Sequence, residues 1–212
     1  MALAERLRLQ IHLVSTKMIV SGSHTDHPVA QRYDEDLKAL ALPNVTFHGA
    51  KNNQQVQELM KQCHLTLLAT LHDTYGFSVL EGFSHGLPAI TSDVCALPEF
   101  VSGSSSTMAN GHLLHLPKDG RGCWLHEPDA ISSDYWEMLD QAFSSMALQT
   151  FLFLESLARN PGRLEELSRN AIKTLEQRHS QYSLARALEV IYSKAKYCGL
   201  SQSGQLAGNQ TA

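Results

Sequence analysis

Two acids, Asp73 and Glu81, stand eight positions apart in the stretch HDTYGFSVLEG at 72–82. Between them lie a glycine and a run of apolar residues that predict the start of a helix near Gly76. The amides of Gly76, Phe77 and Ser78 would then have no carbonyl partners inside the helix and would face outward with the positive end of its dipole. Such a helix tip seats a phosphate, and a missing side chain at Gly76 would let a ligand approach the backbone closely. Carboxylates repel phosphate but accept hydrogen bonds from hydroxyl groups. A sugar phosphate satisfies both demands, with Asp73 and Glu81 gripping different hydroxyl-bearing parts of one ligand. Spacing alone leaves a plainer reading open, in which Asp73 is a loop residue at the helix start and Glu81 a solvated helix position.

The elements that must position these residues follow from pattern. Short apolar runs alternate with helical stretches from residue 10 to about 116, which predicts repeated βα units and a parallel sheet. Candidate strands are QIHLV, MIVSG, NVTFHG, LTLLAT, PAITS and HLLHL. Candidate helices span 28–41, 53–63 and 76–86, with a single turn at 97–101. QIHLV and MIVSG read either as two strands or as one strand preceded by a helix in ALAERLRL. Beyond Pro117 a glycine-containing loop leads to helical patterns at 134–158, 162–178 and 182–197, the first two separated by Asn160-Pro161-Gly162. The polar stretch 201–212 predicts a disordered tail, and 1–200 a single domain with C-terminal helices.

Bulk properties narrow the function classes. A net charge of −4 over 212 residues offers no field that would attract nucleic acid. Cys63, Cys95, Cys123 and Cys198 show no C-x-x-C spacing, and the chain shows no signal-peptide pattern, which favours reduced thiols in a cytoplasmic protein. No apolar run reaches the roughly 18 residues that a membrane-spanning helix needs, while FLFLESLA at 151–158 leaves a peripheral membrane contact open. Asp34-Glu35-Asp36 has the form of a metal motif but falls on an expected solvated helix face. His24 and His27 flank a polar turn with no third ligand in view. His112 and His115 read as the polar ends of an apolar strand, and Glu99 as part of a short helix start. Gly120-Arg121-Gly122 lacks the third glycine of a dinucleotide fingerprint. The run from Tyr135 to Leu157, with Phe143, Met146, Phe151 and Leu154, reads as core packing or a partner surface.

Four ordered segments carry a more specific signal: NVTFHGA, VQELMKQCHLTLLAT, HDTYGFSVLEGFSHGLPAITSDVCALPEFV and GHLLHLP. In order and spacing they resemble the C-terminal, donor-binding domain of family 4 retaining glycosyltransferases, over about residues 18–117. The resemblance implies an α/β, Rossmann-like parallel sheet with flanking helices, the C-terminal half of a GT-B fold, followed by a helical segment. It also implies transfer of a hexose from a nucleotide diphosphate sugar to an acceptor, with retention, without a cofactor or an obligatory metal. In the family the acidic pair is two glutamates; here Asp73 would take the first place, facing the donor sugar near the transferred bond. Glu81 would hold the ribose hydroxyls. Phe77, Ser78 and Val79 would offer backbone amides to sugar and diphosphate, and Gly22 and Gly49 would border the nucleotide at the carboxyl edge of the sheet. The implied partners are the nucleotide-sugar donor, an acceptor, and an acceptor-binding domain on the same or another chain. The chain has no glycine-rich turn with the arginine and lysine that the family uses against the diphosphate. A catalytically silent nucleotide-sugar binding or assembly module is therefore the alternative.

Overall fold

The computed structural model describes residues 9–13, 42–103, 107–125 and 133–207. MIVSG, the helix expected at 28–41, Gly22, His24, His27 and the Asp34–Asp36 acids lie outside the described residues.

Strand β1 (Ile11–Leu13) pairs in parallel with β2 (Val45–Phe47) in register Ile11 to Val45. Helix α1 (Asn53–Met60) follows, started by Asn52, whose side chain accepts from the Gln55 amide while the Gln55 side chain returns to the Asn52 amide. That reciprocal pair satisfies two donors that a helix start otherwise leaves bare. A second parallel sheet has the order β3 (Thr66–Leu68), β4 (Ala89–Ser92), β5 (Gly111–Leu114). Helix α2 (Phe77–Ser84) crosses from β3 to β4, and the single turn α3 (Leu97–Phe100) precedes β5.

All four residues of β4 are buried, as expected of a central parallel strand covered on both faces. Its polar side chains are satisfied across the strand: Thr91 Oγ1 donates to the Leu68 carbonyl at 3.0 Å, and Ser92 Oγ to the Thr70 carbonyl. Val79 and Phe83 of α2, Ile90 of β4, Leu97 and Phe100 of α3 and Leu114 of β5 form one apolar core. Helix α4 (Ser133–Arg159) adds Ala142, Met146, Phe153 and Leu157 to it, a stripe at helical spacing. Phe143 of the same helix is exposed and Phe151 half-buried, so the run supplies both core and surface.

Helix α5 (Pro161–Arg178) starts at the expected proline and packs Leu167 and Ala171 against α2. Its Thr174 accepts a 2.9 Å hydrogen bond from the fully buried Asn110, which also donates to the Phe100 carbonyl and accepts from the Ser102 amide. Helix α6 (Gln181–Ala207) runs further than composition predicts, seven residues into the stretch expected as a disordered tail. Extending an existing helix fixes one residue per added hydrogen bond and needs no new nucleus, so polar residues can continue it. Among the described residues no helix is long and apolar enough to cross a membrane.

Candidate functional site

The turn between β3 and α2 is built around Asp73. One of its oxygens, Oδ1, accepts from the Tyr75 amide at 2.9 Å and also from the Gly76 amide. The chain then enters the left-handed region at Gly76, φ 72° and ψ 42°, before the helix begins. Two sequence expectations change here. The Gly76 amide is not free, because Asp73 holds it. Nor does the missing side chain open the backbone to a ligand: a Cβ at Gly76 would lie 2.5 Å from Leu97 Cδ2 and 3.0 Å from Phe100 Cζ. Glycine is needed at this position for its backbone angle and for packing against α3.

The Val79 amide is also engaged, donating to the Gly76 carbonyl at 2.9 Å, and the residue is buried. Phe77 and Ser78 are exposed, and their amides, in the first turn, have no acceptor among the described residues. The free donors are therefore two where three were expected. The Phe77 ring stands 68% exposed beside this tip, 5.2 Å from the Tyr75 ring, which in turn packs against Phe100 and His179. Burial, and then the nearby Arg178 charge, hold the His179 imidazole below its ordinary pKa.

Glu81 lies one turn further along the same helix face as Phe77, opposite the buried face of Val79, Gly82 and Phe83. Its Oε1 accepts a 3.1 Å hydrogen bond from Asn53 Nδ2 in the first turn of α1. One helical turn on, His85 Nε2 meets Gln57 Oε1, so α1 and α2 lie side by side. Asn53 was not foreseen as a site residue. It sits 28 positions from Glu81, and only its place at a helix start next to Gly49 offered a signal.

Gly49 follows β2 with φ 63°, and nothing lies within 4 Å of the position its Cβ would occupy. Beside it, a hollow of about 550 Å³ is lined by His48, Lys51, Asn52 and Gln55 among others. At the carboxyl end of β4, Asp93 is buried and joins Lys118 Nζ at 2.5 Å, His115 Nδ1 at 2.9 Å and the Leu116 amide at 3.1 Å. Burial pushes its carboxyl up, but those partners outweigh burial and hold it below the usual carboxylate range. His115 is thus a hydrogen-bond partner of Asp93 as well as the exposed end of a strand. His112 stacks on Phe153 at 4.5 Å, and burial followed by the His115 charge lowers its pKa. Gly120 to Gly122 form a turn closed by the Lys118–Trp124 bridge. Among the described residues no group of three acids, histidines or cysteines is placed to hold a metal ion.

Residues 2–121 match the family described as "Glycosyl transferases group 1". The chain belongs to that family. The chain also resembles solved structures at low identity. Against sucrose-phosphate synthase from Thermosynechococcus elongatus the TM-score is 0.58 at 15% identity, over 93% of this chain and 42% of that one. Against the pneumococcal O-GlcNAc transferase GtfA, solved in complex with UDP and GlcNAc, it is 0.54 at 16% identity, over 91% of this chain and 31% of that one. A comparison with curated proteins finds no match. The fold is accordingly α/β and Rossmann-like, that of a GT-B C-terminal domain, and the chain spans less than half the length of either structure.

Proposed function

We propose that this chain is the donor-binding half of a glycosyltransferase that moves a hexose from a nucleotide diphosphate sugar to an acceptor hydroxyl with retention. The observation that carries this is the α2 tip: two free amides, with Asp73 before them and Glu81, tethered to Asn53, on the adjoining face. The Phe77 and Ser78 amides would receive the diphosphate. The free oxygen of Glu81, held in place by Asn53, would accept the ribose hydroxyls. Gly49 would border the nucleotide beside the hollow next to α1, while Gly22, expected to do the same, lies outside the described residues. Asp73 Oδ2, not engaged by the turn, would face the sugar.

In the transfer, the bond from the anomeric carbon to the diphosphate oxygen breaks and a bond to the acceptor oxygen forms. The acceptor proton leaves with the nucleoside diphosphate. Amides already aimed at the diphosphate stabilise the charge it gains without reorganising, a contribution of the kind that often dominates catalysis. The proposal invokes no metal. It assumes an acceptor-binding domain on the same or another chain, and a cytoplasmic setting in which the resting cysteines are thiols. Cys63, Cys95 and Cys123 are unpaired.

One observation favours a second reading, a catalytically silent nucleotide-sugar module: Asp73 Oδ1 is committed to two amides of its own loop. Titration calorimetry with UDP-, GDP- and ADP-sugars tests donor binding. Glu81→Gln should weaken the preferred donor by about tenfold or more, because a hydrogen bond to a charged group contributes about 1.5–3 kcal/mol. Unchanged affinity rejects the ribose role. Tight binding without transfer or hydrolysis of a radiolabelled sugar selects the silent module.

A further inference from the structure

Two cysteines outside the helix tip sit on loops that meet. Cys95 lies in the turn after β4, and Cys123 in the loop after β5. The Cys95 amide donates to the Gly122 carbonyl at 2.9 Å. Standard backbone dimensions added to that bond cap the Cα separation of Cys95 and Cys123 at about 7 Å, at the edge of the span a disulfide bridges. Both residues are half-buried, and neither is in a disulfide.

The loop that carries Cys123 is held in place from its own side. The Asp119 amide donates to the Cys123 carbonyl, and the Cys123 amide to Asp119 Oδ1, each at 2.9 Å. Cys95 has φ 52°, the one positive φ of a non-glycine residue among the described residues. A side chain disfavours that conformation, and here the bond to Gly122 supports it. Zinc would need further ligands, and no third ligand completes the pair among the described residues.

We propose that Cys95 and Cys123 form a reversible disulfide by exchange with a low-molecular-weight disulfide, glutathione disulfide being the probe. One protein thiolate attacks a sulphur of glutathione disulfide and releases one glutathione. The second protein thiolate attacks the sulphur of its partner in the mixed disulfide and releases the other. Two protein thiols are oxidised, one glutathione disulfide is reduced, and the two protons pass to the departing glutathione thiolates. Burial, then the Cys95 thiol and the Asp119 carboxylate, push the Cys123 thiol up, so exchange accelerates as pH rises. The bond would pin the loop after β5 to the turn after β4, at the carboxyl edge of the sheet.

The test does not depend on the proposed activity. The full chain is equilibrated in glutathione redox buffers, quenched by acid and alkylation, and mapped by mass spectrometry. The expected result is a loss of two hydrogens and one cross-linked peptide pair joining Cys95 to Cys123. The cross-link should vanish in Cys95→Ser and in Cys123→Ser and persist in Cys63→Ser. Fully alkylated thiols at the most oxidising poise, a stable glutathione adduct on either cysteine, or a bond to Cys63 or Cys198 would each overturn the assignment. If a serine variant does not fold, the wild-type peptide map decides alone.

Discussion

Gly76→Ala separates two explanations of the glycine at the helix tip. At φ 72° an alanine carries a backbone cost of about 1–2 kcal/mol. Its Cβ would also sit 2.5 Å from Leu97 Cδ2, about 1 Å inside the separation at which two carbons attract. Leu97 is fully buried in the core, so it has little room to retreat, and overpacking of that kind costs about 1–3 kcal/mol. Together the two effects amount to about 2–5 kcal/mol, a large part of the 5–15 kcal/mol that holds an ordinary domain together. With a urea slope of about 2 kcal/mol per molar, the unfolding midpoint should fall by about 1–2.5 M. Leu97→Val removes the offending methyl, so the double variant should be less destabilised than the sum of the singles by about 1 kcal/mol or more. A Gly76→Ala protein with an unchanged midpoint but lost donor affinity would refute the packing argument and restore glycine to a ligand-approach role.

Other consequences are as direct. Asp93 is held below the usual carboxylate range, so its contribution to stability is complete above about pH 4 and is lost as pH falls through its folded pKa. Lys118→Met should destabilise the protein at pH 7 by about 1–3 kcal/mol and reduce the further loss between pH 5 and pH 3; urea unfolding at the three pH values checks this, and an unaltered acid loss contradicts it. Asn110→Leu should cost about 2–4 kcal/mol, because the half-buried Ser102 amide loses its acceptor, and the Phe100 carbonyl and the Thr174 hydroxyl each lose a donor; a thermal midpoint equal to wild type would show the network to be dispensable. Asn53→Ala should raise the donor Kd about 2–10-fold and add nothing in a Glu81→Gln background, as measured by calorimetry; additive losses would mean that Asn53 acts independently of Glu81.

Much of the architecture is legible because it depends on local pattern. The PAITS run gives a strand, as its pattern predicts, and Asn160-Pro161 marks the break between α4 and α5. The ends of α1 and α2 fall inside the expected ranges, since a pattern locates a helix better than it locates its last turn. What pattern does not carry is the partner of a polar group. Asn53 with Glu81, and Asp93 with Lys118, are joined across 28 and 25 positions. Periodicity is silent about such pairs, which depend on how two loops meet at a sheet edge. The same limit applied inside the eleven-residue stretch, where the count of free amides depended on a side chain folding back on its own loop.

That local bond alters the meaning of the acidic pair. A carboxylate at the tip of a helix competes with an incoming phosphate for the same amides, and Asp73 takes the two at Tyr75 and Gly76. It thereby fixes the left-handed step at Gly76 and leaves the next two amides, at Phe77 and Ser78, aimed outward. The two acids divide the work: Asp73 shapes the seat from within its own loop, and Glu81, held by Asn53 from a second helix, adds acceptors where a diol could lie. A ligand that suits this division carries negative charge at one end and adjacent hydroxyls at the other. That is the chemistry of the nucleotide diphosphate sugar proposed above, and the hydrogen bonds support that proposal where the spacing of the acids alone does not.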